Sequence, residues 1–194
     1  AFAQVARFHA QPLDEKLKLR IDSNQVGYIP MGGSVVKSGE LASDPNKPDR
    51  TEAFWLRRER PADDPELGLR FRAPNKWPAD LPGFKEVLVS YITRMEQLGR
   101  SLLPIYAAAL ELKPGYFDDK FDRADLVSRF GHYPQGQGEG PNQYGAGAHT
   151  DAGFLTLLPQ AEVPGLEILT QSGKWLPAPV RPGEILVNGG DSLV

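Results

Sequence analysis

Apolar residues fall three or four apart at Phe2, Val5 and Ala6, with His9 next in phase, and Pro12 closes the stripe. The spacing predicts a helix there and a second, short and charged helix over Leu13 to Leu19. From Ile21 to about Asp80 the periodicity fades while Gly, Pro, Asp and Asn gather, as in Gly32-Gly33 and Asp44-Pro45. A long loop with short strands is expected, notably around Phe54 to Leu56. The pattern sharpens at Phe84, and Val87, Leu88, Tyr91, Ile92, Met95, Leu98, Leu102 and Tyr106 continue it between Pro82-Gly83 and Pro114-Gly115. One long core-facing helix, kinked at Pro104, should result. After Asp125 the period changes, and short β-like runs follow at Leu126 to Tyr133, Phe154 to Leu158, Leu166 to Thr170, Trp175 to Leu176 and Glu184 to Asn188. Turn signals at Ser172-Gly173 and Arg181-Pro182-Gly183 separate the later ones. A helical part packing on an antiparallel barrel or sandwich follows from this order of elements.

Composition narrows the partners. The 194 residues are about one domain's worth, and their 22 basic and 25 acidic side chains are interleaved, for a net charge of −3. Neither a polyanion footprint nor an acidic tail is present, so nucleic acid is not an expected partner. With no cysteine, a disulfide, a thiolate metal site and a cysteine nucleophile are all excluded, and any metal must be held by His and carboxylate. No apolar run approaches the roughly 20 residues that cross a bilayer, and no signal-peptide pattern precedes the first helix. The expectation is a cytoplasmic protein that engages no membrane. The chain opens on Ala1-Phe2 within an amphipathic stretch and closes on Asp191-Ser192-Leu193-Val194, so both ends read as cut.

The residues with the most chemistry are His149 and Asp151. They flank Thr150 between a Gly-rich loop and the apolar run Phe154 to Leu158. Side chains two apart on extended backbone share a face, so the two can converge on one ion. An imidazole with a carboxylate suits Fe(II), and one further His would leave positions open for O2 and an organic co-substrate. The same three residues also read as a turn with a capping Asp.

A series of motifs separates those readings. Phe130-Gly131-His132-Tyr133-Pro134, Gly147-Ala148-His149-Thr150-Asp151, Gly153 to Leu158, Gly165-Leu166-Glu167-Ile168, Gly173-Lys174-Trp175 and Val187-Asn188-Gly189-Gly190-Asp191 occur in this order. Upstream stand Gly27-Tyr28-Ile29-Pro30, Glu52-Ala53-Phe54 and Asn75-Lys76-Trp77-Pro78. In these the chain resembles the isopenicillin N synthase-like, 2-oxoglutarate- and Fe(II)-dependent dioxygenase family. The resemblance implies a mainly β fold with helices, in which a double-stranded β-helix (jelly roll) core is backed by a long helix. It also implies one oxygenase domain over 1–194, incomplete at both ends, with 1–125 as a helical and loop region and 126–194 as the first part of the jelly roll.

By the same resemblance His149 and Asp151 are catalytic metal ligands, and the cofactors are Fe(II) and 2-oxoglutarate. The third ligand and the co-substrate's Arg are expected beyond Val194. Tyr133 is expected to bind the co-substrate through its hydroxyl, with an aromatic in the barrel core as the competing reading. Gly131 stands where plant members carry Asn, so one polar contact of that kind is absent. The implied reaction couples O2 and decarboxylation of 2-oxoglutarate to hydroxylation, desaturation or ring closure of a small organic substrate. A 2-oxoglutarate-independent Fe(II) oxidase and a non-catalytic jelly-roll binding module are the alternatives, and oligomeric state is left open.

Other features carry less. His132 is the one candidate substitute for the missing third ligand; if Tyr133 points inward, the strand period of 2 instead turns His132 outward, to the surface or an inter-layer contact. Gly136, Gly138 and Gly140 lack the Lys-Ser/Thr of a phosphate loop and read as a loop at the site mouth. Arg57, Arg58 and Arg60, with Glu59 and Asp63 beside them, read as a solvated face. Pocket walls are expected from variable loops such as Gly32 to Asp49.

Overall fold

The computed structural model describes residues 1–34, 48–136, 143–159 and 162–193. They form two compact units, Ala1–His149 and Thr150–Val194. Most of the 32–49 loop, and Gly138 and Gly140, lie outside the described residues.

In the first unit the two short amphipathic segments become α1 (Phe2–His9) and α2 (Leu13–Leu17). Three antiparallel strands follow in the order β1 (Gly27–Ile29), β2 (Glu52–Arg57), β3 (Val127–His132). β2 is central, pairing Tyr28 with Phe54 on one side and Phe54 with Phe130 on the other. Paired on both edges, β2 also buries five of its six residues, including charged Glu52 and Arg57, so side chains on both of its faces are covered. Gly27 sits at φ +118°, and a Cβ there would collide with the Leu19 carbonyl, so the turn into β1 requires glycine.

The long helix is α3 (Phe84–Ala109), which runs through Pro104. It buries Phe84, Leu88, Ile92, Leu103 and Ala107, whereas Val87 and Leu98 of the expected stripe are exposed. Of these, Phe84, Leu88 and Ile92, four apart along one face of the helix, belong to the hydrophobic core. Phe8, Tyr28, Phe54, Leu56, Phe84, Leu88 and Ile92 form that core. The ring of Phe54 lies 4.4 Å from that of Phe8 and 5.9 Å from that of Phe84, within the range of favourable aromatic contact.

The arginine cluster departs from the solvated face expected for it. Arg57 pairs with Asp125 at 2.9 Å, Arg58 with Glu96 at 2.5 Å, and Arg60 with Asp64 and Glu66 at 3.0 Å. The partners of Arg57 and Arg58 come from distant parts of the chain, which local charge patterning cannot reveal.

In the second unit β4 (Leu155–Pro159) pairs with β7 (Ile185–Gly189), and β5 (Glu167–Leu169) forms a hairpin with β6 (Trp175–Pro177), all antiparallel. Gly173, at φ +76°, makes the hairpin turn at the predicted Ser172-Gly173. A short 3₁₀ turn, Asp191–Leu193, follows β7. Among the described residues, no helix is long and apolar enough to cross a membrane.

Candidate metal centre

His149 is the last residue of the first unit, exposed and outside any strand. The segment leading to it is tied to the residues preceding β2. The buried Asp49 carboxylate accepts the Gly147 N–H at 2.9 Å, and the Arg50 N–H reaches the Tyr144 carbonyl at 2.9 Å. The His149 ring then turns back, with Nδ1 2.7 Å from the Gly147 carbonyl oxygen. A carbonyl oxygen only accepts, so Nδ1 carries the proton and Nε2 carries the lone pair. This tautomer presents Nε2 as the ligand atom, and it is fixed by the kind of backbone contact that orients metal-binding histidines.

Asp151 belongs to the second unit. Its Oδ2 accepts from Asn188 Nδ2 of β7 at 3.1 Å, and its backbone carbonyl accepts the Asp191 N–H at 2.9 Å. The same loop is clamped further, by Thr150 Oγ1 to Asp191 at 3.2 Å, Gly190 N–H to Phe154 O at 3.0 Å and Ser192 N–H to Gly153 O at 2.9 Å. Gly190 packs so closely on this loop that a Cβ would strike the Gly153 carbonyl. A neutral imidazole with a defined lone pair and a carboxylate held by an amide fit Fe(II) as donors.

Tyr133 follows β3 and is half exposed. Its hydroxyl oxygen accepts from Arg129 Nη1 at 2.8 Å, which leaves the phenolic proton for an acceptor. His132 is half exposed, but Nδ1 lies 2.8 Å from Oε1 of Glu52.

That contact belongs to a cluster the sequence did not bring together. Glu52, buried on β2, is surrounded by Lys16 of α2 at 2.8 Å, by the Tyr28 hydroxyl of β1, and by the imidazoles of His9 and His132. Burial alone would raise the Glu52 carboxyl, but the Lys16 ammonium, the Tyr28 hydroxyl and His132 outweigh it and bring it down to about 2. Burial and the Glu52 carboxylate together push the Tyr28 phenol well above its usual range. Burial also lowers His9, against the pull of Glu52. Asp49 and Asn188, which hold the loop before His149 and the Asp151 carboxylate, act across 98 and 37 positions of the chain. The signal for Asn188 was its place in the Val187 to Asp191 motif.

Residues 1–80 match the family described as non-haem dioxygenase in morphine synthesis N-terminal, and residues 124–194 match the 2OG-Fe(II) oxygenase superfamily. The 2-oxoglutarate-Fe(II) type oxidoreductase hxnY of Emericella nidulans is 32% identical over 97% of this chain and 55% of its own length. Clavatol oxidase claD of Penicillium crustosum is 36% identical over 99% of this chain and 61% of its own. The crystal structure of a full-length Neurospora crassa protein in complex with alpha-KG superposes with a TM-score of 0.82 at 28% identity, over 99% of this chain and 58% of that one. The chain thus spans 55% to 61% of the length of the two curated relatives.

Proposed function

The chain belongs to the 2-oxoglutarate- and Fe(II)-dependent oxygenase superfamily, and from that premise we propose that the whole protein is a dioxygenase of small organic substrates that uses O2, Fe(II) and 2-oxoglutarate. His149 Nε2 and the Asp151 carboxylate are two of its iron ligands. The observation that carries this reading is the His149 Nδ1 contact to the Gly147 carbonyl, which leaves Nε2 as the ligand atom two residues from a carboxylate. When bound, Fe(II) with 2-oxoglutarate supplies the oxidising chemistry, in which decarboxylation of the co-substrate to succinate is coupled to oxidation of the substrate. The chain's own residues bind and orient. Asp49 fixes the loop that aims His149, Asn188 holds the Asp151 carboxylate in one rotamer, and Tyr133 offers its phenolic proton to a carboxylate of co-substrate or substrate.

Residues 1–194 are read as belonging to one oxygenase domain. Its antiparallel strands form part of a double-stranded β-helix backed by α3, a fold supported by the likeness to the Neurospora crassa structure. The cytoplasm is the proposed location.

The test is succinate formation by the whole protein supplied with Fe(II) and 2-oxoglutarate, with and without prime substrate. His149→Ala and Asp151→Ala should each abolish it, because losing one ligand from an open iron site removes affinity and geometry together. Succinate production that survives in either variant would overturn the assignment.

A further inference from the structure

The two carboxylate oxygens of Glu52 keep different company. Oε2 accepts from Lys16 Nζ at 2.8 Å and from the Tyr28 hydroxyl, so its demand is met by donors. Oε1 faces two imidazole nitrogens, His132 Nδ1 at 2.8 Å and His9 Nδ1 at 3.4 Å. The other nitrogen of His9, Nε2, lies 3.1 Å from the Phe130 carbonyl oxygen. That oxygen only accepts, so Nε2 holds the proton and Nδ1 of the neutral ring presents a lone pair.

His9 is only 7% exposed, and its Nδ1 makes no hydrogen bond among the described residues. A buried lone pair therefore looks onto a buried carboxylate oxygen. The two repel unless something positive stands between them, either a proton or a metal ion. Burial lowers the affinity of His9 for the proton.

We propose that His9, Glu52 and His132 form a seat for one divalent transition-metal ion of the zinc class, held by the two imidazoles and by Oε1 of Glu52. One ligand atom from each residue lies within 4.8 Å of the other two. Ligand atoms of a tetrahedral zinc stand about 3.4 Å apart at bonds of roughly 2.0–2.1 Å. The His9 and Glu52 atoms already have that separation, at 3.4 Å. His132 would have to draw back from Glu52 by about half an ångström. Its side chain is 45% exposed and has room to do so. The open side of the same ring gives the ion an entry path and water as a fourth ligand.

Two neutral imidazoles and a single carboxylate suit zinc and lack the many oxygens that Ca²⁺ or Mg²⁺ require. Lys16 works against cation binding, but its ammonium is committed to Oε2 and to the His9 carbonyl at 3.0 Å, leaving Oε1 to the ion. The seat uses neither His149 nor Asp151.

The experiment takes the whole protein carrying His149→Ala and Asp151→Ala, strips it with chelator, and titrates it with Zn²⁺ alone. Co²⁺ serves as a visible-absorption reporter of tetrahedral geometry. One equivalent of Zn²⁺ and tetrahedral Co²⁺ bands are expected, and adding His132→Ala should weaken Zn²⁺ binding by at least about tenfold. His132 is at the surface, so a thermal melt should confirm that this variant stays folded, which replacement of buried His9 would not guarantee. Absence of stoichiometric Zn²⁺, or binding that His132→Ala leaves unchanged, overturns the proposal. Succinate formation reports on the iron reading and metal content on this one, so the two fail separately.

Discussion

The two units keep their apolar side chains in different places. In Ala1–His149 seven large side chains are sealed into one cluster, Phe8, Phe54, Phe84, Leu56 and Leu88 among them at 0–1% exposure. In the second unit, Ala178 is the one buried apolar side chain among the described residues. Val163, Ile168, Leu169, Trp175, Leu176 and Val187 are 43–73% exposed. The first unit is therefore held by side-chain packing and a buried charge network. The second is held by its two strand ladders and the clamp around Asp151. Substitutions should report this difference, costing most where a side chain fills the core and least where one polar contact trims a loop.

The largest effect is expected at Phe54. Its ring meets those of Phe8 and Phe84, and its removal leaves a cavity at the centre of the sheet. Phe54→Ala should cost about 3–5 kcal/mol, read as a lower denaturation midpoint. A loss below about 1 kcal/mol would show that the first unit does not rely on this core.

The charge network comes next, and pH probes it. The Glu52 carboxyl sits near 2 in the folded chain against an ordinary value of 4.5. The folded state thus binds this proton more weakly than the unfolded chain. Its stabilising contribution is complete above about 4.5 and drains away as the pH falls toward 2. The size is about 3 kcal/mol. His9, lowered from 6.5, acts in the same direction and begins to lose its contribution at a higher pH. Glu52→Gln should flatten the acid limb between pH 5 and 2, and should also destabilise at neutral pH because Lys16 stays buried without its counter-charge. An acid limb identical in both proteins would refute the role of Glu52.

Gly190→Ala tests the second unit. The added methyl meets the Gly153 carbonyl, which is backbone and cannot swing away, so a cost of about 1–3 kcal/mol is expected. Hydrogen exchange should show the damage at the Gly190, Asp191 and Ser192 amides, which cross to the Asp151 to Phe154 loop. Protection that persists at those amides would mean the clamp tolerates the side chain.

Much of the backbone was legible because periodicity and turn residues are local signals. Phe84 to Tyr106 marked α3, and Ser172-Gly173 marked the hairpin even though every residue of β5 and β6 is exposed and no buried face existed to read. His149 and Asp151, the proposed ligands, could be singled out because they sit two apart in a motif. The Glu52 cluster was not, since it joins residues 36 and 80 positions apart and no local pattern connects a helical lysine with a histidine at a strand end. Arg57 and Arg58 were misread for the same reason. Their acidic neighbours in sequence suggested a wet surface, while Asp125 and Glu96 pair with them in space.

The smallest change concerns the residue that joins fold and site. Asn188 sits on β7 opposite Thr156 of β4, half-buried, and its amide donates to Asp151 at 3.1 Å. Asn188→Ala removes this donor while leaving the ladder's backbone bonds in place, so stability should fall by only about 1 kcal/mol. The consequence for chemistry should be larger. A carboxylate without its outer contact samples more rotamers, and ligands that lose such support typically bind metal roughly 10- to 100-fold more weakly. In the whole protein Asn188→Ala should therefore need more Fe(II) to reach half-maximal succinate formation, with little change in its melting temperature. An unchanged iron requirement would place Asp151 outside the metal site, and a large melting shift would make Asn188 a structural residue of the second unit.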